Sequence, residues 1–258
     1  MTFSLRLSAD LILALSARAM DSRRGAPILV LSPDTDFQTV TASSSAANLQ
    51  EGIEPLNSDG LVSRNRSPIL WISGPEPLDY PEVVRFTNAL ATSGRSVFLE
   101  TSGAALKRRI HEFKPSACFH FTVRFDAPDP SLGPSDCHAS AFRTGIEALR
   151  MARLAGFFTC AHLAVSSGAA APQLENLHVE LTKLDVDGFV ITRAADSLDL
   201  AKTVNQLRRR LLSWRWSVLS RLVESVTLLA CARDSRKTDR QPIAESRQES
   251  FEEGAEAG

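Results

Sequence analysis

The stretch ILWISGPEPLDYPEVV, residues 69–84, decides how the chain is read. It opens on a continuous apolar run, the pattern of a strand buried on both faces. Gly74, Pro75 and Pro77 then break it. Proline has no backbone N–H to give a sheet, and glycine tolerates turn geometry. Helical spacing follows, with Pro81 at its start, where the missing N–H costs nothing. A strand, a tight turn and a helix leave Glu76 at the strand's carboxyl end. Parallel α/β folds hold their ligands there.

The same unit recurs along the chain. Residues 27–32, 69–73, 96–103, 118–126, 157–165 and 188–194 read as strands. Helical patterns lie between them at 80–94, 104–113, 139–156 and 171–185. In the first of these Val83, Val84, Phe86 and Leu90 form the apolar face, and Gly94 is placed to stop the helix. In the third, Phe142, Ile146, Leu149 and Leu154 fall near one face. Strands alternating with helices predict a parallel sheet with right-handed crossovers. No G-x-G-x-x-G follows the first strand, which disfavours a dinucleotide fold. The expected architecture is α/β, a partial (β/α)6 TIM-like parallel barrel over residues 27–197. A polar connection of over thirty residues, about 33–68, interrupts it and is long for a structureless loop.

Helical sequence is expected on either side, in an N-terminal segment (1–26) and a long amphipathic helix (198–231), broken once at most. Leu200, Val204, Leu207, Leu211, Val218, Leu222 and Leu229 give the second its apolar stripe. Arg208, Arg209, Arg210, Arg215 and Arg221 make its other face basic. That stripe can cover the open side or bottom of the barrel, or the basic face with Trp214 and Trp216 can meet an anionic membrane surface. The first reading is favoured, because a partial barrel needs its flank covered. Residues 232–258 carry too few apolar groups to fold and are expected to be disordered.

Bulk properties narrow the classes. The 258 residues, 43% hydrophobic, suffice for one large α/β domain or two small ones. A net charge of -1 gives no basic field for nucleic acid. No apolar run reaches the ~18 residues of a membrane span. Asp10 and the arginines after Leu11–Leu15 are unlike a signal peptide, so a cytoplasmic protein is expected. The four cysteines, at 118, 137, 160 and 231, form no C-x-x-C pair. Cys118 and Cys160 read as small core residues. A zinc site from Cys118, His120, Cys137 and His138 is disfavoured because the adjacent second pair diverges, and no metal site is expected.

Five ordered segments carry a resemblance: ISGPEPLDYPEVV, FLETSGAAL, HEFKPSACFHFTVRFD, GIEALRMARLAGF and LDVDGFVIT. Together they resemble a radical SAM domain over roughly residues 18–195. Their order and spacing are most similar to the branch that makes adenosylhopene in hopanoid synthesis. The resemblance implies a partial (β/α)6 barrel whose turn after the second strand contacts the methionine end of S-adenosylmethionine. Carried over, that turn is Ser73, Gly74, Pro75, Glu76, Pro77 and Leu78, with Glu76 receiving the ligand's ammonium. Pro75 stands where the family has glycine, which removes a donor. Thr101, Ser102 and Gly103 resemble the turn after the third strand, and Asp126 the aspartate that ends the fourth. The cofactor-binding set implied is Ser73, Gly74, Glu76, Thr101, Ser102 and Asp126.

The family also needs C-x3-C-x2-C after the first strand, three thiolates that hold a four-iron cluster. Counting from Pro33, those positions fall on Phe37, Thr41 and Ser44. None carries sulfur, and hydroxyls do not replace thiolates on a soft cluster. The expectation is a cluster-free pseudoenzyme, acting as a binding or regulatory protein. It would hold S-adenosylmethionine without iron, or pair with an intact radical SAM relative. The alternatives are a cluster-independent enzyme drawing on Glu76, Glu100, Asp126 or His120, and a decaying gene product.

Overall fold

Every described strand pairs in parallel with its neighbour in sequence. The computed structural model describes residues 5–20, 28–31, 67–126, 136–167 and 171–238. Helix α1 (Leu5–Met20) precedes strands β1 (Ile28–Leu31) and β2 (Ile69–Ile72). A 3-10 turn (Pro77–Asp79) leads to α2 (Val83–Thr92), β3 (Ser96–Thr101) and the one-turn α3 (Leu106–Arg109). Then come β4 (Phe119–Asp126), α4 (Asp136–Leu154), β5 (Phe158–Val165), α5 (Ala171–Lys183) and β6 (Gly188–Arg193). Two helices, α6 (Leu198–Leu211) and α7 (Trp214–Thr238), end the described chain. The sheet order is β1-β2-β3-β4-β5-β6, a curled half-barrel. Phe37, Thr41 and Ser44, most of the long polar connection and residues 239–258 lie outside the described residues.

Alternation assigns each strand residue a face. Leu70, Ile72, Val97, Leu99, Phe119, Phe121, Val123, Ala161, Leu163, Phe189 and Ile191 pack outward against α2 to α6. Gly94 ends α2 with φ +80, a left-handed position that glycine takes without strain. In α4 the buried seam is Gly145, Ala148, Leu149 and Ala152, whereas Phe142 and Leu154 are exposed. Gly145 lets the helix approach so closely that a Cβ there would sit 2.7 Å from the Phe125 ring.

Trp71, Phe98, His120 and Phe158 face inward at matching register positions on β2 to β5. Their rings follow one another across the sheet, with Trp71 stacked on Phe98 at 5.2 Å and Phe98 on His120 at 4.5 Å. Over them, and over Ile28, Ile69, Cys160 and Val190, pack Leu7, Leu11 and Ala14 of α1. Trp216, Leu219, Leu222 and Val223 of α7 complete that layer. Asp10, buried in α1, accepts a 2.6 Å bond from the Ser96 hydroxyl. Both terminal helices therefore fill the lower concave side of the barrel.

In the C-terminal region the one break that the sequence reading allowed falls at Leu212 and Ser213, between α6 and α7, and α7 continues to Thr238. Arg208 belongs to no basic face. It is 1% exposed, donates Nε to the Ile191 carbonyl at 2.7 Å, and pairs through Nη2 with Glu224 at 2.7 Å. Ser220 accepts from the Ile191 N–H at 3.1 Å, and Glu224 from the Arg193 N–H at 2.8 Å. Side chains of α6 and α7 thus serve β6 where a further strand would lie. No described helix is long and apolar enough to cross a membrane.

His120 is buried, with Nδ1 unpartnered. Burial pushes its imidazole down to about 4, against an ordinary 6.5, so it is neutral at pH 7. The unfolded chain binds that proton more readily between these values, so stability is full above pH 6.5 and falls as pH drops toward 4. The slope sums to about 3 kcal/mol. His120→Phe keeps the ring stack and removes the titration. Urea unfolding at pH 7.5 and pH 4.5 is expected to show a large stability loss in the wild type and a much smaller one in the variant.

Candidate functional site at the carboxyl ends of the strands

Above the aromatic layer the inner face turns polar. Glu100 on β3 is opposite Thr122 on β4, and Arg124 on β4 is opposite His162 on β5. A cavity of about 210 Å3 opens there, lined by Gly74 and Pro75 from the β2 turn and by Thr101 and Ser102 from the end of β3 and its turn. Glu100, Arg124 and Asp126 give it charge.

Glu100 is the deepest of these groups, at 2% exposure. Its Oε2 accepts from Trp71 Nε1 at 2.9 Å and lies 2.9 Å from His162 Nδ1. Its Oε1 has the Arg124 guanidinium at 3.6 Å. Burial works against the carboxylate, but His162, Arg124 and Trp71 outweigh it and hold the carboxyl below its ordinary range. His162 Nε2 in turn lies 2.7 Å from the Thr192 hydroxyl. Arg124 also donates Nε to Asp126 Oδ1 at 2.8 Å. Burial opposes the guanidinium's charge, and Glu100 and Asp126 raise its pKa overall.

The residues expected at the site fall in three places. Glu76, Thr101 and Ser102 come together as partners of one another. Glu76 Oε1 accepts from the Thr101 hydroxyl at 2.8 Å and the Leu78 N–H at 3.3 Å. Its Oε2 accepts from Ser102 through the hydroxyl at 2.6 Å and the N–H at 3.0 Å. The carboxylate caps the 3-10 turn and ties the β2 turn to the β3 turn. Gly74 and Asp126 line the cavity with Arg124. Ser73 continues the ladder, its N–H donating to the Leu31 carbonyl at 2.9 Å.

The clip has a measurable cost of removal. Glu76→Ala leaves two hydroxyls and two N–H groups without their acceptor, and is expected to cost about 1–3 kcal/mol. For a chain of this size that lowers the melting temperature by roughly 2–4 °C per kcal/mol. Glu76→Gln, which keeps one acceptor oxygen, should lose less. Differential scanning calorimetry of the two variants checks the order.

No family model matches the chain, and no curated protein does. Among solved structures it overlaps SuiB of Streptococcus suis with TM-score 0.44 and 13% identity, over 64% of this chain and 43% of that one. SuiB bound to S-adenosylmethionine gives 0.43 and 15%, over 72% and 43%. SuiB bound to its precursor peptide SuiA gives 0.47 and 15%, over 91% and 54%. This chain spans about half or less of the SuiB chains it overlaps. Overlap at this level leaves the strand order, rather than the likeness, to define the fold.

The described thiols do not suit an iron–sulfur cluster. Cys118 is half-buried just before β4, and Cys160 is buried on the inner face of β5. Burial, with Asp187 and Glu100 adding to it, pushes the Cys160 thiol far up, away from the thiolate that iron requires. Cys137 and Cys231 belong to two other elements, α4 and α7. Among the described residues no three His, Cys, Asp or Glu side chains are grouped to hold a metal.

Trp71, Arg124, His162 and Thr192 escaped the sequence reading. The signal for two of them was alternation. In CFHFTVRFD the inward set is His120, Thr122, Arg124 and Asp126; in FFTCAHLAV it includes His162. A polar residue on the inner face of a barrel strand near its carboxyl end is a site candidate by position alone.

Proposed function

We propose that this chain is a radical-SAM-like half-barrel working without an iron–sulfur cluster, as a small-ligand binding or regulatory protein. The observation that carries the reading is the dispersal of its thiols over separate elements, together with Phe37, Thr41 and Ser44 at the positions where the resemblance implies cysteine. The binding place is the cavity beside Glu100, Arg124 and Asp126. Those groups offer a guanidinium to a carboxylate and carboxylates to an amine, as S-adenosylmethionine held without iron would require. The hopanoid branch rests on the order of the five segments alone, and pairing with an intact relative rests on the loss of the cluster positions.

A second reading has one observation of its own. Glu100, His162 and Thr192 form a carboxylate–imidazole–hydroxyl chain, the arrangement by which an acid orients a general base. A cluster-independent enzyme would use it. The cavity lining does not include Thr192, which favours the binding reading.

Calorimetric titration with S-adenosylmethionine on wild type and Arg124→Gln tests the proposed place. Binding to the wild type and its loss in the variant are expected. Equal heats from both proteins would put any binding elsewhere.

A further inference from the structure

The cavity's size and its charge order specify more than a binding place. Its volume is about 210 Å3. Pockets for drug-sized ligands run from about 300 to 1,000 Å3. Below it the rings of Trp71 and Phe98 and the helices α1 and α7 close the barrel. Depth is therefore not available for a long ligand.

The charges alternate over short distances. Glu100 Oε1 lies 3.6 Å from Arg124 Nη1, and Arg124 Nε lies 2.8 Å from Asp126 Oδ1. Neither contact uses Arg124 Nη2 or Asp126 Oδ2. Glu100 Oε1 has the guanidinium only at a distance too long for a hydrogen bond. An anion alone would meet two carboxylates, and a cation alone would meet the guanidinium. A compact ligand carrying both signs a few bonds apart satisfies both.

We infer that the cavity recognises a compact α-amino-acid zwitterion, with its carboxylate on Arg124 and its ammonium on Glu100 and Asp126, and that an attached nucleoside adds nothing to binding. The inference rests on the cavity being the binding place. It assigns the amine to Glu100 and Asp126 rather than to Glu76, whose oxygens the clip already uses.

Titration of the full chain with L-alanine and L-methionine, with propylamine and propionate as single-charge halves, and with S-adenosylmethionine tests it. The amino acids are expected to bind at least tenfold more tightly than either half, and S-adenosylmethionine no more tightly than L-methionine. Arg124→Gln is expected to weaken amino-acid binding at least tenfold. Asp126→Asn, at a side chain 67% exposed and so little risk to folding, should weaken it several-fold. Halves that bind as well as the amino acids, or amino-acid binding untouched by Asp126→Asn, would overturn the zwitterion. S-adenosylmethionine bound tenfold more tightly than L-methionine would overturn it too, yet leave the cavity as the binding place. No binding by any probe would remove both.

Discussion

Gly188→Ala is expected to be the most damaging single methyl in the chain. Gly188 begins β6 on the inner face, and the indole of Trp216 lies directly against it. A Cβ at that position would fall 1.9 Å from Trp216 Cζ2 and 2.0 Å from Cη2. Both are ring atoms of a side chain that is 2% exposed and wedged among Ile28, Ile69, Val190 and Leu219. The ring cannot swing away as a flexible side chain could, so α7 must shift along the concave face. Overpacking usually costs about 1–3 kcal/mol, and a rigid clash of this depth should reach or pass the upper end. The melting temperature would fall by roughly 6–12 °C. Trp216→Phe removes the two most deeply clashing of the three ring atoms within 2.4 Å while keeping an aromatic ring. In the double variant Gly188→Ala/Trp216→Phe the losses should therefore be well short of additive. Thermal unfolding of the four proteins in that cycle measures the coupling, and strict additivity would mean that Trp216 does not lie on Gly188.

The second large effect concerns the ion pair beneath the C-terminal helices. Glu224→Ala removes the partner of a guanidinium that is 1% exposed and whose pKa is already lowered by burial. It also strips the acceptor from the Arg193 N–H at the end of β6. Breaking a buried pair from one side costs about 3–5 kcal/mol, because the remaining charge has no compensation. Replacing both members, as Arg208→Met with Glu224→Leu, should recover much of the loss. Amide exchange separates this from general destabilisation. The Ile191 and Arg193 amides, which donate to Ser220 and Glu224, should lose protection first in Glu224→Ala, with β3 and β4 little changed.

Arg208 also shows where sequence reasoning stopped. Within LRRRLL it sits in a basic run that reads as a solvated face, and its partner comes sixteen residues later on a different helix. Only the break at Leu212 and Ser213, which folds α7 back over β6, brings the two together. By contrast, the strands were legible because parallel strands buried on both faces must be apolar runs. The helix α2 was legible because Val83, Phe86 and Leu90 recur at helical spacing before a glycine that stops them.

Strand-end position picked out Glu76, and the radical SAM resemblance added Ser73, Gly74, Thr101, Ser102 and Asp126; of these Gly74, Thr101, Ser102 and Asp126 line one cavity, and Glu76 bonds to Thr101 and Ser102. Which of them bond to each other was not legible, because Glu76 and Ser102 are separated by a strand, a helix and two turns. Glu100 and His120 were named as candidate groups for a cluster-independent enzyme. His120 is a core residue, with its ring stacked on Phe98. Glu100 instead joins Arg124 and Asp126 at the cavity, and its partner His162 lies two strands away.

Acidification should probe Glu100 as well as His120. Its folded carboxyl is held below the ordinary value near 4.5, so it stabilises the fold above that value, and the contribution is lost as pH falls further. The wild type should therefore lose stability in two stages, the first down to about pH 4 from His120 and the second below about pH 4.5 from Glu100.

Anaerobic reconstitution of the purified chain with iron and sulfide bears most directly on the central claim that the barrel works without a cluster. The expected result is a colourless protein, with no iron–sulfur charge-transfer absorption and no stoichiometric iron after desalting. A brown chromophore that disappears when Cys118, Cys137, Cys160 and Cys231 are replaced by serine would contradict it.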